Sequence, residues 1–514
     1  MSKPLHIPAF DNLCWNSSRF VPPCQKACPL GTDVSGYIMA AMMGEYREAF
    51  RLVKDRNPLP SVCSRICHHP CEDQCIRGRI DQPISIRALK RFVIENTDKE
   101  FRQRIPDMNK AGGKRVAVIG SGPAGLSAAH DLALQGHQVT IFEKYDRLGG
   151  VLGLAIPAFI LPNSILKEDI SRIKSLGVRF QTGAEIKKAE AIKSLFDTGF
   201  SSVLLATGAH DSVILNNIDY SLPKIFSALA FLIENKNGKN SKMEGRALII
   251  GGGNVAVDSA RLCIRKGVSK VDVYCLEKQN EMAAFDWEIE RARREGVEFH
   301  SEQSLVETTA NPDGSITCRF ADVKHIVVED GKIKPVIDKR RMREEATDYL
   351  IIAAGQKIGT DHLNGIPFNL TPQGSVSMGA ELMISGFPGL FIAGDMASFP
   401  GTLIDSIASG KKAAESIEVF LNGGKSVTTS IKNGTGRLLS EIPEKIISVF
   451  PKRKRQIPPE TSSAKAKKSY AEPEKTYSLS AAKEEASRCL NCAVCGNCIY
   501  EREQLCLQTG SRLL

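Results

Sequence analysis

Two glycine-rich segments constrain the fold of this 514-residue chain more than any other feature of its sequence. The first is VAVIGSGPAGLSAAHDLALQGHQVTIFEK, in which Gly120, Gly122 and Gly125 form G-x-G-x-x-G and Glu143 closes the next apolar run. The first glycine permits a tight turn, the second lets the backbone approach a pyrophosphate, and the third lets helix and strand pack closely. Because strand, helix, second strand and acid are all present, the segment predicts a dinucleotide-binding β–α–β unit rather than an ordinary turn.

The second segment is RALIIGGGNVAVDSARLCIRKGVSKVDVYCLEK, which repeats the pattern with Gly251, Gly253 and Ala256 and ends its second strand at Glu277. A carboxylate at this position accepts from a free ribose 2′-hydroxyl and repels a 2′-phosphate. Only Lys278 offers a cation beside it. The segment therefore predicts NAD in preference to NADP, although loop residues can reverse such a preference.

Two nucleotide-binding units in one chain indicate FAD together with a nicotinamide cofactor. The stretch LFIAGDMASFPGTLIDSIASGKKAA (390–414) resembles the second flavin motif of two-dinucleotide flavoproteins, in which the aspartate contacts the ribityl chain. LLATGAH (204–210) and IIAAGQ (351–356) resemble the crossover strands of the same group, whose nicotinamide domain is inserted into the flavin domain. The predicted FAD-binding residues are Gly120, Gly122, Pro123, Ala124, Gly125, Glu143, Gly150, Gly208, Gly394, Asp395 and Thr402. The predicted nicotinamide-binding residues are Gly251, Gly252, Gly253, Asn254, Val255, Ala256, Glu277 and Gly355.

Fifteen cysteines are distributed unevenly along the chain: seven lie before residue 76, three in the middle and five in the last 26 residues. The three in the middle are Cys263, Cys275 and Cys318, which form no C-x-x-C pair and are expected to be buried apolar residues. Clustered cysteines in a reducing compartment are more often metal ligands than disulfides. Electrons from the flavin are therefore expected to leave through the cysteine-rich ends.

The densest run is V-C-S-R-I-C-H-H-P-C-E-D-Q-C, in which every fourth residue from Cys63 to Cys75 is a cysteine. Pro70 lies inside the run and argues against one continuous helix. Zinc, with His68 or His69 as further ligands, is one interpretation, and an iron–sulfur cluster is the other. The neighbouring flavin and nicotinamide motifs favour iron–sulfur, because zinc does not relay electrons.

The N-terminal pattern C-Q-x-x-C-P-L-G…N-P-x-P…C-x-R-x-C-x-x-P-C-E-x-x-C resembles the small subunit of bacterial glutamate synthase and the electron-input half of dihydropyrimidine dehydrogenase. The A-A-F-D-W-E stretch (283–288) also matches, and the resemblance covers residues 20–420. It implies two [4Fe–4S] clusters. One would be held by Cys28, Cys63, Cys67 and Cys71, and Cys24 and Cys75 would contribute to the other. In the family, a C-x-x-C shortly before Cys24 completes the second cluster; this chain lacks it and offers only Cys14.

The C-terminal sequence EEASRCLNCAVCGNC provides a further group of cysteines: Cys489, Cys492, Cys495, Cys498 and the more distant Cys506. C-x-x-C-x-x-C with a distal cysteine is the ferredoxin-type arrangement for one [4Fe–4S] cluster, although no proline follows Cys506. The tail resembles those of flavin subunits that feed larger redox complexes.

These patterns predict an α/β fold with two Rossmann-like dinucleotide-binding domains, the nicotinamide domain inserted in the FAD domain. The expected segments are a helical iron–sulfur domain (1–110), the first segment of the FAD domain (111–242), the NAD(P) domain (243–347), the second segment of the FAD domain (348–423), a flexible basic linker or docking arm (424–487) and a C-terminal iron–sulfur segment (488–514). No apolar run of about 18 residues and no signal peptide are evident, so a cytoplasmic location is expected.

The expected function is that of an NAD(P)H oxidoreductase subunit that passes electrons, in either direction, to a partner such as a molybdenum, tungsten or nickel–iron enzyme or a ferredoxin. No side chain is expected to act as acid or base at the hydride step. A glutamate synthase small subunit serving a separate synthase polypeptide is an alternative. Another is binding of nucleic acid or an anionic membrane surface through the basic residues 451–468, in a chain of net charge +10. A third is an iron–sulfur flavoprotein without turnover.

Overall fold

The computed structural model describes residues 20–106, 112–216, 218–236, 242–329, 332–366, 368–371, 375–378, 381–384, 386–397, 401–424, 437–438 and 450–492. These residues form two compact units. The first is drawn from Met1–Arg104, Ser426–Pro459 and Lys475–Leu514, and the second from Ile105–Lys425 and Glu460–Glu474. Within the described ranges, no helix combines the length and apolar character needed to cross a bilayer.

The first unit is helical. Its α-helices are Pro23–Ala27, Val34–Met43, Tyr46–Arg56, Pro60–Ile66, Pro70–Asp73, Ile86–Asn96, Lys99–Gln103 and Leu479–Ala486, with a 3-10 turn at Ile76–Arg79 and a short parallel strand pair, Phe20–Val21 and Arg437–Leu438. The helices Val34–Met43 and Tyr46–Arg56 are separate, because Gly44 adopts a left-handed φ of 86° and ends the first of them. Tyr37, Phe50 and Phe92 form the centre of the core, each at most 1% exposed.

The second unit begins with a five-stranded parallel sheet, here called the FAD-type sheet. Its strands, in spatial order, are Leu390–Ile392, Ser202–Leu205, Arg115–Ile119, Gln138–Glu143 and Arg179–Thr182. The helices that belong to it are Pro123–Leu134, Val151–Leu154, Asn163–Ser175, Ala189–Asp197 and Leu403–Leu421, with a 3-10 turn at Gly394–Met396. Ser202–Leu205 is buried along its whole length, and Arg115–Ile119 and Gln138–Glu143 are buried after an exposed first residue, as expected for a parallel sheet covered on both faces.

A second five-stranded parallel sheet, here called the nicotinamide-type sheet, belongs to the same unit. Its strands, in spatial order, are Val297–His300, Lys270–Tyr274, Arg246–Ile250, Tyr349–Ile352 and Ile225–Ser227. Its helices are Ala228–Asn235, Asn254–Lys266 and Asp286–Glu295, with 3-10 turns at Gln279–Glu281 and Asp361–Leu363. A three-stranded antiparallel sheet that was not predicted follows it, formed by Gln303–Ala310, Ile316–Glu329 and Lys332–Thr347.

The nicotinamide-type sheet extends beyond the predicted segment 243–347 at both ends. It includes Ile225–Ser227 and Tyr349–Ile352, which the sequence placed in the two segments of the FAD domain. The two chain crossings between the sheets pair with each other as short antiparallel strands, Asp211–Ser212 and Gln356–Lys357. The inserted portion of the chain therefore lies between these two short strands.

The structure also differs from the predicted flexible linker at 424–487. Part of its described portion from 450 onward is packed, with Tyr477 and Glu485 at most 3% exposed, whereas Lys452, Arg453 and Lys454 are exposed. Within the first unit, Arg455 pairs with Glu72 at 2.5 Å. Within the second unit, a short helix at Ser463–Ala466 precedes a return of the chain, which is bridged at Glu460 and Glu474. Most of the basic residues of this segment are exposed, as the sequence suggested, whereas Arg455 is half-buried because it pairs with an acid 383 positions away.

Candidate functional site

The first glycine loop leaves its strand through a turn that only glycine can make without strain. Gly120 has φ of 103°, and a Cβ there would lie 2.4 Å from the carbonyl oxygen of Ala206 on the neighbouring strand. A Cβ at Gly125 would lie 2.1 Å from the carbonyl oxygen of Gly120, so helix and strand pack at close range. At Gly122, no heavy atom lies within 4 Å of the Cβ position. The loop is thus tight where the protein packs and open where a pyrophosphate would bind.

The predicted acid of this loop lies beside it. Glu143 is buried and accepts hydrogen bonds from the N–H and hydroxyl of Ser121, at 3.0 and 2.6 Å, and from the N–H of Tyr145 at 3.0 Å. Gly150 also reaches the loop, since a Cβ there would lie 2.9 Å from the Cα of Gly122. Pro123 and Ala124 supply the first turn of the helix that begins at the loop.

The second predicted flavin motif meets this helix on the same sheet. A Cβ at Gly394 would lie 3.0 Å from the Cβ of Ala124, so the motif and the first loop are adjacent. Burial raises the pKa of the Asp395 carboxyl, and the Gly401 N–H, 3.2 Å away, acts in the opposite direction. Thr402 is the N-cap of the helix Leu403–Leu421, and its hydroxyl donates to Asp405 over 2.6 Å. Residues predicted from three separate motifs are therefore brought together.

The second glycine loop repeats the construction. Gly251 has φ of 138°, and a Cβ there would lie 2.3 Å from the carbonyl oxygen of Ala353, while the Cβ position at Gly253 is open. A Cβ at Gly252 would lie 2.6 Å from Oε2 of Glu277, so the predicted ribose-binding carboxylate faces the loop. Both loops fit a bound dinucleotide, because each combines close backbone packing with open space in front of the second glycine of its G-x-G pair.

Further contacts fix the second loop. Asn254 accepts from the N–H of Phe285 at 3.0 Å, and Ala284 donates its N–H to Gly252 at 2.8 Å. The A-A-F-D-W-E stretch is thus held against the loop. Val255 and Ala256 form the first turn of the following helix. The crossover glycines Gly208 and Gly355 both have left-handed backbone, with φ of 70° and 114°.

In the first unit, four cysteines share one buried neighbourhood, here called the first thiol group: Cys28, Cys63, Cys67 and Cys71. Pro70 starts a new helix after a left-handed residue, His69, so the cysteine run is two short helices, as the sequence predicted. The break turns the chain and brings Cys67 and Cys71 to the end of the helix that carries Cys63. Burial raises the pKa of the Cys63 thiol, and the nearby Cys67 raises it further.

A buried lysine lies among these thiols. Lys90 is 5% exposed and belongs to the helix Ile86–Asn96. Burial alone would lower its pKa, but the four thiols of the first thiol group raise it, and the net shift is upward. A buried ammonium group is expensive unless opposite charge surrounds it. Lys90 therefore fits a site whose cysteines are deprotonated, as ligands of a metal centre are.

Four other cysteines, from three separate stretches of the chain, line one pocket of the first unit: Cys24, Cys75, Cys489 and Cys492. This set is here called the second thiol group. Burial raises the pKa of the Cys24 thiol, and Cys489, Cys75 and Cys492 raise it further. The sequence assigned Cys489 and Cys492 to a separate C-terminal cluster, so their proximity to Cys24 and Cys75 was not predicted. The signal that could have found it is the C-x-x-C missing before Cys24, since C-L-N-C at 489–492 has the same spacing.

Arg488 anchors the chain beside this pocket. The residue is 1% exposed, and its guanidinium donates to Glu485 and Asp81, both at 2.7 Å, and to the carbonyl oxygen of Gln82 at 2.6 Å. Arg77 in turn donates to the carbonyl oxygen of Arg488 at 3.4 Å. These contacts join positions about 400 residues apart and fix the start of the C-terminal cysteine segment.

The spacing of the sulfur atoms distinguishes a single zinc ion from a larger cluster. Thiolates that each lie about 2.3 Å from one tetrahedral zinc lie about 3.8 Å from one another. Among the described residues, no three cysteine sulfurs all lie within 4.8 Å of one another. Both thiol groups therefore fit a [4Fe–4S] cluster, in which each thiolate binds a different iron atom, better than they fit zinc.

Some predicted metal ligands fall outside the described residues, namely Cys14, Cys495, Cys498 and Cys506. Cys263, Cys275 and Cys318 are all buried in the second unit, as predicted. The members of both thiol groups, in contrast, all belong to the first unit.

Comparison with known proteins finds two family models that match the chain. The family whose model matches residues 114–423, more than half of the chain, is described as pyridine nucleotide-disulphide oxidoreductase. The chain belongs to this family. A second family model, dihydropyrimidine dehydrogenase domain II with a 4Fe-4S cluster, matches residues 14–102. The predicted relationship to dihydropyrimidine dehydrogenase and the predicted fold are therefore confirmed, and the chain is an electron-transfer oxidoreductase with FAD and pyridine-nucleotide domains and a helical 4Fe-4S domain.

The chain is similar to two relatives in sequence and to one solved structure in fold. The NADP(+)-dependent formate dehydrogenase subunit beta of Moorella thermoacetica is 31% identical over 91% of this chain and 70% of its own length. The NAD-dependent dihydropyrimidine dehydrogenase subunit PreT of Escherichia coli O157:H7 is 31% identical over 78% of this chain and 91% of its own. FprA of Mycobacterium tuberculosis in complex with NADPH has a TM-score of 0.51 and 16% identity over 60% of this chain and 85% of its own, a likeness of fold alone.

Proposed function

We propose that this chain is the flavin subunit of a larger redox enzyme and exchanges electrons between NAD(H) and a partner redox protein. The observation that carries the proposal is the combination, in one chain, of two dinucleotide-type loops with two groups of four cysteines. FAD at the first loop would exchange hydride with the nicotinamide and pass single electrons to the clusters, chemistry that belongs to these groups themselves. We propose that the residues of the two glycine loops and of the two thiol groups bind these cofactors, that the domain limits are those given above, and that the nucleotide is NAD(H).

The residues of the chain contribute binding and orientation. Gly122 and Gly253 let the backbone approach each pyrophosphate, and the helices that begin at Pro123 and Asn254 direct N–H groups toward it. Glu143 and Glu277 would accept from ribose hydroxyls. Such positioning is the protein's main contribution to a reaction in which no side chain needs to transfer a proton.

The proposed preference for NAD(H) depends on Glu277. Its carboxylate faces Gly252, where it would accept from a 2′-hydroxyl and repel a 2′-phosphate. The relatives carry both labels: the M. thermoacetica protein is named for NADP(+) and the E. coli protein for NAD. The carboxylate of this chain supports NAD(H).

A partner subunit is supported by the names of both relatives, each of which is a subunit of a larger enzyme. We propose a metal-dependent oxidoreductase or a ferredoxin as the partner. For the alternative use of the basic segment 451–468, the guanidinium of Arg455 is already engaged by Ser85 and Glu72 within the first unit, whereas Lys452, Arg453 and Lys454 are exposed, so this alternative stays a prediction.

The test is an anaerobic titration of the purified protein, first with NADH and separately with NADPH, followed by visible absorbance and by EPR of the reduced sample. NADH is expected to bleach the flavin and to produce the signals of reduced clusters, and NADPH to require a higher concentration. Bleaching of the flavin in a protein that contains zinc in place of iron would overturn the electron-transfer proposal.

A further inference from the structure

We infer that Cys24, Cys75, Cys489 and Cys492 hold one iron–sulfur cluster together, so that the two ends of the chain complete a single metal site. The inference rests on the proposed function in one respect, namely that the thiol groups bind iron–sulfur clusters. It differs from the sequence expectation, in which the C-terminal cysteines form a cluster among themselves.

The first support is the pocket. The four cysteines line it together with apolar side chains that include Val34, Ile38, Ile84 and Ile86. Cys24, Cys75 and Cys489 also pack against the hydrophobic core that contains Cys71. Four thiols in an apolar pocket suit an iron–sulfur cluster, because cysteine thiolates are its usual ligands. Burial and hydrogen bonds to sulfur then set its reduction potential.

The second support is a local backbone arrangement that the two thiol groups share. His69 lies two residues after Cys67, has a left-handed φ of 50°, and donates its N–H to the Cys67 sulfur at 3.4 Å. Asn491 lies two residues after Cys489 and has a left-handed φ of 48°; burial raises the pKa of the Cys489 thiol, and the backbone N–H of Asn491 acts in the opposite direction. Non-glycine residues adopt this conformation rarely, and the N–H that each one turns toward sulfur stabilises a thiolate. Cys489 is thus presented in the same way as a cysteine of the first thiol group.

The third support is charge. Arg77 lines the pocket at 3% exposure, and Arg488 lies next to Cys489 in sequence at 1% exposure. Both guanidinium groups are held by Asp81. They act on the thiols electrostatically, Arg77 on Cys489 and Arg488 on Cys75. Each cation favours the thiolate form of its neighbouring cysteine, and Asp81 and Glu485 hold the two guanidinium groups in place.

The experiment compares iron content and the EPR spin count of the dithionite-reduced full-length protein in three variants: Cys24→Ser, Cys489→Ser and the double variant. One shared cluster predicts that each single variant loses about four irons per chain and that the double variant loses no more. Two separate clusters predict additive losses of about eight irons in the double variant, and this result would overturn the inference. Retention of all iron by either single variant would overturn it as well.

Two controls keep the result interpretable. Cys263→Ala removes a buried thiol of the second unit and should lose no iron. Flavin absorbance and the signal of the remaining clusters report whether each variant is folded. The presence of zinc in place of iron in the unsubstituted protein would overturn this inference together with the proposed function, whereas additive iron loss would overturn only the inference.

A second measurement needs no variant. In the iron-depleted, full-length protein, a short thiol-specific cross-linker followed by peptide mass spectrometry should join Cys24 or Cys75 to Cys489 or Cys492. Cross-links confined to each end of the chain would contradict the shared site.

Discussion

Lys90 is not a proposed ligand, yet it influences the charge that the first thiol group can carry. A lysine in an apolar helical core would normally be destabilising by several kcal/mol, since its charge is removed from water. Here the thiols of the first thiol group hold its pKa above the ordinary value despite burial. The lysine therefore favours the form of the site that carries more negative charge.

We predict that Lys90→Met lowers the reduction potential of the cluster at the first thiol group by about 59 mV or more, a tenfold change in the one-electron equilibrium. The physical reason is that reduction adds an electron, and the buried cation stabilises the added negative charge. The measurement is an EPR-monitored redox titration. Lys99→Met removes an exposed lysine of the same unit and should leave the potential unchanged, and an equal shift in both variants would refute the assignment.

Glu277 is the residue on which the proposed preference for NAD(H) depends. We predict that Glu277→Gln raises the KM for NADH about tenfold and lowers the KM for NADPH, because a hydrogen bond to a charged acceptor is lost and a repulsion is removed. Steady-state dye reduction with each nucleotide measures both effects. Glu281→Gln changes an exposed carboxylate on the following turn and should alter neither constant. A Glu277 variant that keeps the NADH preference unchanged would assign selectivity to other loop residues.

At the scale of elements, the helix pair Asn254–Lys266 and Asp286–Glu295 contains an unusual concentration of buried charge. Arg261 joins Glu288 and Glu295 across the pair, each at 2.9 Å. Asp258 lies on the same helix as Arg261, and burial together with the nearby Glu288 raises its pKa to about 8. The raised pKa favours the protonated form of Asp258 in the folded protein.

This raised pKa gives a stability prediction with a definite sign. Between the ordinary Asp pKa of about 3.9 and the raised value, the folded state binds a proton that the unfolded state has lost, so stability falls as pH rises, by up to about 1.4 kcal/mol per pH unit. Asp258→Asn should remove this slope and be the more stable protein at pH 8 to 9. Thermal unfolding from pH 5 to 9 measures it. Asp197→Asn, at an exposed position, should keep the wild-type slope, and parallel slopes in all three proteins would contradict the assignment.

The elements also show what the sequence can predict. Both glycine loops were predictable because their geometry is imposed within about 25 residues: strand, turn and helix are contiguous, and Gly120 and Gly251 meet the same obstacle, a carbonyl oxygen on the neighbouring strand. The helix break at Pro70 was predictable for the same local reason. In each case, the spacing of residues along the chain was sufficient to predict the local structure.

The second thiol group and the packing of the supposed linker were not predictable by the same means. The contacts that fix them, such as Arg488 with Asp81 and Arg455 with Glu72, connect positions more than 380 residues apart. No periodicity or motif records which distant acid will meet a given arginine. The exposure of the lysines in 451–468 could be predicted from the sequence, whereas the pairing of Arg455 could not.

At the scale of the whole molecule, the chain contains sites for an electron donor and for electron relays, and the proposed final acceptor belongs to another protein. We predict that protein isolated natively and anaerobically co-purifies with a redox-active partner that contains its own metal centre. Size-exclusion chromatography with metal analysis and peptide identification measures this. A monomer with no redox companion, isolated from cells that express both partners, would count against the proposed role as a subunit.

The contacts of Arg488 also impose an order on synthesis. Asp81 is made early, and its buried partner is added only 26 residues before the last residue of the sequence. The first unit therefore cannot complete its core while the ribosome is still translating the middle of the chain, whereas nearly all of the second unit lies in one uninterrupted stretch that emerges earlier. A prematurely terminated chain would carry folded nucleotide-binding domains on an unfinished helical unit. The first unit can therefore close only after residue 488 has been made.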